Sequence, residues 1–299
     1  MPSIDILGVP HAYELTAPTA SGPVLVFLHG WLLSRRYWQP VIERLAASYQ
    51  CLSYDLRGFG YSQITSQSRL NGQGTWVNSN SSSTVSPYTP VVYARDLGLL
   101  LEKLNISSAW LIGHSLGGTI ALWGAKQYPD AIKGVICVNA GGGIYLKEAF
   151  ERFRTVGQQL VRFRPRFLSH LPWIDLVFTR DSVARPIARS WGRQRVIDFV
   201  MAHPEAALGA LLDSTTEAEV NRLPQIVSQL KQPVYFIAGA KDTVMEPKYV
   251  RHLASFHPLF EACGNNVIEI PDCGHLAMLE QPDVVAKEIS IILTRYESK

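Results

Sequence analysis

Short apolar runs alternate along this chain with segments whose apolar residues recur every three or four positions. Runs of the first kind are typical of buried strands, and segments of the second kind are typical of amphipathic helices. Their alternation predicts an α/β protein with a mostly parallel, eight-stranded sheet covered by helices on both faces. The predicted strands are Ile4–Leu7 and Ala12–Leu15, which are weaker and form an antiparallel edge, then Val24–Leu28, Gln50–Tyr54, Ala109–Ile112, Gly134–Val138, Val234–Ala238 and Val267–Ile270. The predicted helices between them are Trp38–Ala47, Val91–Leu104, Gly118–Gln127, Lys248–Phe256 and Val284–Tyr296.

Two segments interrupt this alternation. Residues 63–90 are rich in Ser, Asn, Gln, Gly and Thr, a composition that buries too little apolar surface to order itself, and we expect a flexible polar insert there. Its Trp76 and Tyr88 leave an ordered flap over the site as the alternative. Some ninety residues then separate the strands that end at Val138 and begin at Val234, far more than the dozen or so that a crossover needs. They predict a helical cap at 140–232, inserted into a core domain formed by 1–139 and 233–299. The predicted cap helices are Leu146–Phe163, Ile174–Arg189, Gln194–His203 and Glu205–Leu212.

Composition and charge narrow the classes of function. The chain has 299 residues, of which 47% are hydrophobic and 18% charged, as in ordered globular proteins. A net charge of +3 is too small to indicate nucleic acid as a partner, and the sequence holds neither zinc-type Cys/His spacing nor a phosphate-binding glycine loop. The sequence shows no basic, apolar leader and no apolar run approaching the ~20 residues that span a bilayer. The four scattered cysteines, Cys51, Cys137, Cys263 and Cys273, are expected to be free thiols in the reducing cytoplasm, with a Cys263–Cys273 disulfide as the alternative.

The pentapeptide Gly113-His114-Ser115-Leu116-Gly117 lies where a predicted strand gives way to a helix. In that context a Gly-x-Ser-x-Gly motif holds its serine in a sharp, strained bend that exposes the hydroxyl above the sheet edge. Gly113 and Gly117 are needed because the strand and the helix pass so close that a Cβ would collide. The motif therefore predicts a nucleophilic serine.

A serine hydroxyl is a poor nucleophile at neutral pH and needs a base that a third group holds in place. Asp242 directly follows the seventh predicted strand, and His275 directly follows the eighth. Both residues and Ser115 thus lie at carboxyl ends of strands, the edge where open α/β sheets place their sites. We predict that Ser115 attacks, that His275 accepts and returns the proton, and that Asp242 fixes the imidazole tautomer. The other position for the acid, after Val138, is occupied by Asn139.

Attack on a carbonyl develops negative charge on its oxygen, which backbone N–H groups must stabilise. We predict two such donors, the N–H groups of Leu116 and of Trp31 on the loop after the third strand. Trp31, Leu32 and His114 are expected to line the substrate pocket. His29, like His114, is expected to be held by its own hydrogen bonds and to take no part in proton transfer. The predicted site contains neither a metal nor a cofactor.

Together these motifs resemble the α/β-hydrolase fold superfamily over nearly the whole chain. The resemblance implies the fold and the Ser-His-Asp triad, and it makes Asp55 and Arg57 scaffold residues of a turn. A serine nucleophile implies acyl transfer or hydrolysis, in contrast to the haloalkane dehalogenases and epoxide hydrolases of this fold, which use an aspartate. The matching segments, in the order the superfamily has them, are Leu28-His29-Gly30-Trp31, Asp55–Ser62, Gly113–Gly118, Asp242 and Gly274-His275.

We therefore expect a serine hydrolase that cleaves a carboxylic ester of an apolar or long-chain small molecule. The chain is similar to esterases and cofactor-free perhydrolases, and loosely to pheophytinase and chlorophyll-dephytylase-type hydrolases of isoprenoid esters. Menaquinone-pathway lyases of this fold are similar from Ser34 to Pro40, but they carry an arginine soon after the serine, where this chain has Thr119. A thioesterase and a ligand receptor that keeps the triad are further alternatives. The oligomeric state is left open.

The predicted cap is basic and aromatic. Apolar residues recur at helical spacing in its first helix and predict a face packed on the core; they are Phe150, Phe153, Val156, Leu160 and Phe163. Most of the cap arginines are expected on a solvated face. The sharper hypothesis is peripheral contact of this surface with an anionic membrane, since basic residues beside aromatic ones favour such binding. These arginines are Arg152, Arg154, Arg162, Arg164, Arg166, Arg180, Arg185, Arg189, Arg193 and Arg195.

Overall fold

We describe a computed structural model of the chain over residues 1–19, 22–63, 86–142, 147–171, 173–261 and 264–297. Its strands are β1 Ser3–Ile6, β2 Val9–Leu15, β3 Val24–Leu28, β4 Cys51–Tyr54, β5 Ala109–His114, β6 Ile132–Val138, β7 Val234–Gly239 and β8 Val267–Ile270. They form one sheet in the order β1-β2-β4-β3-β5-β6-β7-β8. β2 pairs antiparallel with both β1 and β4, and the other neighbours are parallel. The predicted α/β fold with an antiparallel edge is confirmed.

Helices cover both faces of this sheet. They are α1 Gln39–Leu45, α2 Pro90–Lys103, α3 Leu116–Gln127, α4 Lys147–Arg162, α5 Ile174–Phe178, α6 Arg189–Met201, α7 Pro204–Ser214, α8 Glu217–Gln229, α9 Pro247–Ala254, α10 Ala277–Glu280 and α11 Pro282–Glu297. A 3₁₀ turn at Arg35–Trp38 replaces the start of the predicted helix Trp38–Ala47. Within the described ranges, none of the helices is long and apolar enough to cross a bilayer.

The alternation of side chains along the central strands divides the core into two layers. In β3, Val26 and Leu28 pack with α2, α3, α8 and α9, whereas Leu25 and Phe27 pack with α1 and α11 on the opposite face. Successive side chains of a strand point to opposite faces, so a strand covered on both sides must be apolar throughout. This is why the central strands appear in the sequence as unbroken apolar runs.

The chain between β6 and β7 forms α4 to α8, which we call the cap helices. The prediction of a helix over Ile174–Arg189 is wrong beyond Phe178, where α5 ends. The guanidinium of Arg195 on α6 donates hydrogen bonds to the carbonyl oxygens of Phe178 and Asp181, so these carbonyls are satisfied without further helical turns. α8 has no counterpart among the predicted helices, because Pro224 in its interior is a residue that usually ends a helix.

The predicted core-facing stripe of the first cap helix is wrong over much of its length. Val156, Leu160 and Phe163 are exposed, whereas Gly157 and Val161 are buried. α4 packs on α7 through the side that carries Gly157, where a Cβ would lie 2.6 Å from a methyl carbon of Leu211. Val156 and Phe163 are therefore left on the outer side of the helix, whereas Phe153 and Leu160 of the same predicted stripe border the cavities under the cap helices.

Most of the polar insert predicted at 63–90 lies outside the described residues. Its last part is described and contacts the cap helices. Tyr88 is buried, with its ring against Gly209 of α7, and Ser86 Oγ donates a hydrogen bond to the carboxylate of Asp213. The insert thus returns to the core along α7 before α2 begins at Pro90.

The cysteines that the structure describes are buried free thiols, as predicted. They are Cys51, Cys137 and Cys273, while Cys263 lies outside the described residues. Burial raises the pKa of Cys51 and of Cys273 to about 12, so both thiols stay protonated at neutral pH.

Candidate active site

Ser115 occupies the turn between β5 and α3 with φ 51° and ψ −117°, a strained backbone conformation for a residue with a side chain. The two flanking glycines make the turn feasible. A Cβ on Gly113 would lie 2.2 Å from the carbonyl oxygen of Gly117, and a Cβ on Gly117 would lie 2.4 Å from that of Leu28. The Ser115 N–H donates a hydrogen bond of 3.0 Å to the carbonyl of Val138 on the neighbouring strand. The strained strand–turn–helix geometry expected from the motif is present.

Asp242 and His275 meet at the carboxyl edge of the sheet, on the loops after β7 and β8. The distance between His275 Nδ1 and Asp242 Oδ2 is 2.8 Å. Asp242 Oδ1 accepts hydrogen bonds from the N–H groups of Val244 (2.8 Å) and Met245 (2.9 Å). Burial by itself would raise the pKa of Asp242, but the facing His275 and these hydrogen bonds lower it below its ordinary value. An ionised carboxylate therefore faces one nitrogen of the imidazole.

Asn139 completes the surroundings of this carboxylate. It follows β6 with a positive φ of 50°, and its Nδ2 donates hydrogen bonds to Asp242 Oδ2 (2.8 Å) and to the carbonyl of Gly274 (3.1 Å). The side chain thus joins the loop that carries the acid to the residue before His275. The sequence predicted only that Asn139 is not the acid, and this positioning contact was missed because no motif marks it.

Ser115 and His275 line the same cavity, a compartment of about 290 Å³ that we call the larger compartment. Within the described residues, neither Ser115 Oγ nor His275 Nε2 makes a hydrogen bond with the protein. Catalytic hydrogen bonds are often long or poorly aligned before substrate binds, so this arrangement is compatible with proton transfer between the two side chains. The hydroxyl and the second imidazole nitrogen are both available to a bound substrate.

Trp31 and Leu116 border a second compartment on the other side of Ser115, with a volume of about 80 Å³. We call it the smaller compartment. The backbone N–H groups of these two residues have no hydrogen-bond partner in the part of the chain that the structure describes. Free N–H groups at the first turn of a helix and on an adjoining loop are suited to binding an oxyanion.

The other two histidines near the site have fixed hydrogen bonds. His29 Nδ1 lies 2.8 Å from the carbonyl oxygen of Gly30, and His29 Nε2 accepts from the N–H of Leu56 at 2.9 Å, so its ring is neutral. His114 Nε2 lies 2.8 Å from the carbonyl oxygen of His275 and donates to it. Burial, reinforced by the neighbouring His275, lowers the pKa of His114 to about 3. His114 therefore stays uncharged at neutral pH, although its ring borders the larger compartment.

The two compartments are lined mainly by apolar side chains from the core loops and the cap helices. Leu116, Leu211 and Met245 line the smaller one, and Leu160, Phe178 and Phe199 line the larger one. Phe153 lies between them and borders both. Leu32 lines the larger compartment, which places each predicted pocket residue at the cavity. The arrangement suits an apolar molecule whose reacting carbonyl lies at Ser115.

Comparison with known proteins agrees with this geometry. The sequence profile of the alpha/beta hydrolase fold matches residues 23–282, a range that includes β3 to β8 and all the cap helices. The chain belongs to the alpha/beta hydrolase fold family.

Relatives of this alpha/beta hydrolase differ in their recorded activities. The 2-succinyl-6-hydroxy-2,4-cyclohexadiene-1-carboxylate synthase of Salmonella newport (strain SL254) is 27% identical over 275 residues, which cover 91% of this chain and 94% of the synthase. Protein PHYLLO, chloroplastic, of Arabidopsis thaliana is 26% identical over 143 residues, or 47% of this chain, and the chain spans only 8% of that protein. A thermophilic esterase from Thermogutta terrifontis, solved with malate bound, matches with a TM-score of 0.71 at 24% identity, covering 96% of this chain and 94% of the esterase. At that identity the likeness to the esterase shows the fold alone.

In this alpha/beta hydrolase the cap helices hold the loop that carries Trp31. The indole Nε1 of Trp31 donates a hydrogen bond of 2.8 Å to the carbonyl of Ala207 on α7. Ser34, on the same loop, donates from Oγ to Asp198 Oδ2 on α6 at 2.9 Å, and both side chains are buried. The sequence did not predict these contacts, because each joins segments more than 160 residues apart.

Proposed function

We propose that this protein is a serine hydrolase that cleaves a carboxylic ester through Ser115, His275 and Asp242. The observation that carries the proposal is the 2.8 Å contact between His275 Nδ1 and the buried carboxylate of Asp242, with the same imidazole bordering the cavity that holds Ser115. A histidine oriented by a carboxylate and open to a strained serine is the arrangement that activates a hydroxyl.

The reaction begins with proton transfer from Ser115 Oγ to His275 Nε2 as the oxygen attacks the ester carbonyl. Asp242 accepts the hydrogen bond of the Nδ1–H and stabilises the imidazolium that forms. The lowered pKa of Asp242 keeps it ionised for this task at neutral pH. Asn139 holds the carboxylate in position through its Nδ2.

The N–H groups of Trp31 and Leu116 stabilise the negative charge that develops on the carbonyl oxygen. Both groups are fixed before the substrate arrives, so no reorganisation opposes the reaction. His275 then donates its proton to the leaving alcohol, which departs and leaves an acyl group on Ser115. A water molecule, activated by the same imidazole, hydrolyses the acyl-enzyme and restores the serine.

The apolar lining of both compartments favours an ester with an apolar acyl or alcohol part. The larger compartment, at about 290 Å³, has room for the longer portion, and the smaller one, at about 80 Å³, for the shorter. This apolar lining supports the proposal of a long-chain or isoprenoid ester as the substrate class.

A panel of p-nitrophenyl esters of increasing acyl length tests the proposal. We expect multiple turnover by the wild-type chain, loss of turnover in Ser115→Ala, and a fluorophosphonate adduct that peptide mass spectrometry locates on Ser115. Turnover that persists in Ser115→Ala, or an adduct on another residue, would contradict the assignment. A single stoichiometric release of nitrophenol with no further turnover would favour a ligand receptor instead.

The relationship to the Salmonella synthase favours a second candidate, formation of 2-succinyl-6-hydroxy-2,4-cyclohexadiene-1-carboxylate. That product carries two carboxylates, which a site must meet with cationic side chains. Among the described residues that line the two compartments, Arg195 is the only arginine or lysine, and Asp181 and two backbone carbonyls already bind its guanidinium. Thr119 borders the smaller compartment at the position where the resemblance implies an arginine. We therefore prefer ester hydrolysis to the synthase reaction. Turnover of the synthase substrate by a protein that hydrolyses none of the esters would reverse this preference.

A further inference from the structure

The cap helices expose a concentration of large apolar side chains. Of the sixteen large hydrophobic residues that are exposed in the described chain, ten lie between residues 156 and 201. Phe163 is 79% exposed, Trp173 is 69% exposed and Val177 is 61% exposed, values that are high for such side chains. We call the following set the apolar cap face: Val156, Leu160, Phe163, Phe167, Leu171, Trp173, Leu176 and Val177.

Hydrogen bonds and ring contacts hold this stretch against α6. The guanidinium of Arg164 donates to the carbonyl oxygens of Phe199 (2.7 Å) and Ala202 (2.6 Å), which fixes the end of α4 at the end of α6. The rings of Phe178 and Phe199 lie 5.9 Å apart, which fixes the end of α5 at the same place. Phe167, Leu171, Trp173, Leu176 and Val177 lie between these two attachments in the chain, and Val156, Leu160 and Phe163 directly precede the first one.

Positive charge is concentrated in the same part of the chain. Residues 147–201 contain 11 of the 28 Lys and Arg residues but only 5 of the 25 Asp and Glu residues, a net charge of +6, whereas the rest of the chain carries −3. Arg154, Arg164 and Arg195 donate to backbone carbonyls inside the cap. Arg162, which lies between Leu160 and Phe163, and Arg180, which follows Val177 by three residues, are exposed.

We propose that the apolar cap face docks on the surface of an anionic phospholipid bilayer. A bilayer accepts apolar side chains at its acyl boundary while its headgroups attract the surrounding arginines. A nucleic acid would use the positive charge but would leave a surface of aliphatic and aromatic side chains without a partner. We therefore assign the apolar cap face to lipid. The experiment below also distinguishes lipid from a second copy of the chain and from a nucleic acid.

Leu160 connects this surface to the catalytic cavity. It belongs to the apolar cap face and also borders the larger compartment. An apolar substrate dissolved in the bilayer would thus reach Ser115 along side chains of the cap without crossing water. Delivery of a substrate from the bilayer to Ser115 rests on the proposed ester hydrolysis. Docking of the apolar cap face on a bilayer does not depend on that proposal.

Sedimentation with vesicles tests docking. Vesicles of phosphatidylcholine alone are compared with vesicles that contain 30% phosphatidylglycerol, a fraction chosen on the order of that in anionic membranes. We expect binding to the anionic vesicles only, weakening as salt is added. Arg162→Gln/Arg180→Gln should reduce partitioning about 30-fold, from roughly a factor of five for each arginine at a membrane surface. Phe163→Ser/Trp173→Ser should reduce it more than tenfold by removing the inserted side chains.

Matched substitutions on the core side provide the controls. Ile291→Ser removes an exposed apolar side chain from α11, and Lys287→Gln removes an exposed charge from the same helix. Both should bind as the wild type does. Equal, negligible binding to the two vesicle types would overturn the proposal, and so would loss of binding in the control variants. A dimer by light scattering, or RNA retention, that depends on Phe163 and Trp173 without vesicle binding would assign the face to that partner instead.

Hydrolysis of a short, water-soluble ester separates this proposal from the proposed function. The two cap variants should keep wild-type turnover of p-nitrophenyl acetate in the absence of lipid, because neither pair of residues contacts Ser115 or His275. Vesicle binding without any ester turnover would leave docking standing and reject the hydrolase. Ester turnover without vesicle binding would support the hydrolase and reject docking.

Discussion

Ser34 Oγ donates a hydrogen bond of 2.9 Å to Asp198 Oδ2, joining the loop that carries Trp31 to cap helix α6. The other oxygen of Asp198 accepts from Gln194 Nε2 at 2.9 Å, and Ser34, Gln194 and the neighbouring Tyr37 are all neutral donors. Burial raises the pKa of Asp198 from its ordinary 3.8 to about 6, with the negative charge of Asp55 adding to the shift. The carboxylate of Asp198 thus lies between α6 and the loop that carries Trp31, with neutral hydrogen-bond donors.

This raised pKa predicts how stability depends on pH. Between about pH 4 and pH 6 the folded protein holds a proton on Asp198 that the unfolded chain has released, so Asp198 contributes a loss of stability as pH rises through that range. The loss amounts to about 3 kcal/mol for a shift of roughly two units. Asp198→Asn removes it. The free energies of unfolding of the wild type and the variant are measured in urea at pH 4, 6 and 8. As the pH rises, the variant should gain about 3 kcal/mol of stability relative to the wild type. Parallel pH profiles for the two proteins would contradict the burial argument.

Substitution of the predicted triad should abolish turnover and leave the fold intact. We expect Ser115→Ala and His275→Ala to lower kcat on the order of 10⁴-fold, because each removes a group that the reaction uses directly. Asp242→Asn should cost less than either substitution. Ser214→Ala is the matched control, since Ser214 borders the smaller compartment and its hydrogen bonds to described residues go to backbone carbonyls of α7. Near-normal ester hydrolysis by a folded triad variant would reject the site.

His114 should not control the pH dependence of the reaction. Its pKa of about 3 keeps it neutral across the range in which an imidazole base titrates, and its Nε2–H is used by the carbonyl of His275. His114→Gln, whose amide can donate in the same place, should keep kcat/KM within about tenfold of wild type and leave the acid limb of the pH profile unchanged. Loss of that limb in His114→Gln would mean that His114, and not His275, is the base.

The strained turn at Ser115 should tolerate no added methyl group at Gly113. A Cβ there would lie 2.2 Å from the backbone oxygen of Gly117, which cannot move without displacing the serine. We expect Gly113→Ala to cost about 3 kcal/mol in unfolding free energy or to prevent folding. Gly124→Ala in α3 is the control, because its Cβ would meet only side-chain methyl groups at 3.0 Å and alanine favours the helix by about 1 kcal/mol. A stable, active Gly113→Ala protein would show that the turn can accept a methyl group at this position.

Local patterns in the sequence were enough to predict the sheet and to select the candidate residues at its edge. The central strands are apolar throughout because both faces are covered, and the serine motif has a geometry that few other turns require. Asp242 and His275 were selected by their position after strands, and the structure brings them within 2.8 Å of each other. Their roles in catalysis, with that of Ser115, stay predictions.

Most of the wrong or missing sequence predictions concern contacts between segments that are distant in the chain. α5 ends at Phe178, where Arg195 binds its last carbonyl from another helix, and Pro186 within 174–189 is a local signal against a helix that the prediction overlooked. Val156 and Phe163 of α4 have the spacing of a buried face together with Phe153 and Leu160, and only the packing of Gly157 on Leu211 decides which side of the helix is covered. Asn139 and Asp198 act through partners far away in the chain, so their importance was invisible to a search for motifs.

The bond from Trp31 Nε1 to the carbonyl of Ala207 makes one backbone oxygen of α7 a support for the loop whose amide we propose as an oxyanion donor. Chimaeras that exchange whole caps between relatives to transfer substrate preference would remove this support together with the pocket wall. A graft that ends before His203 and resumes after Leu211 would keep the amide in place while renewing most of the lining. A graft designed to change substrate selectivity should therefore be joined to this chain on either side of residues 203–211. Joining it at the ends of β6 and β7 would exchange the whole cap.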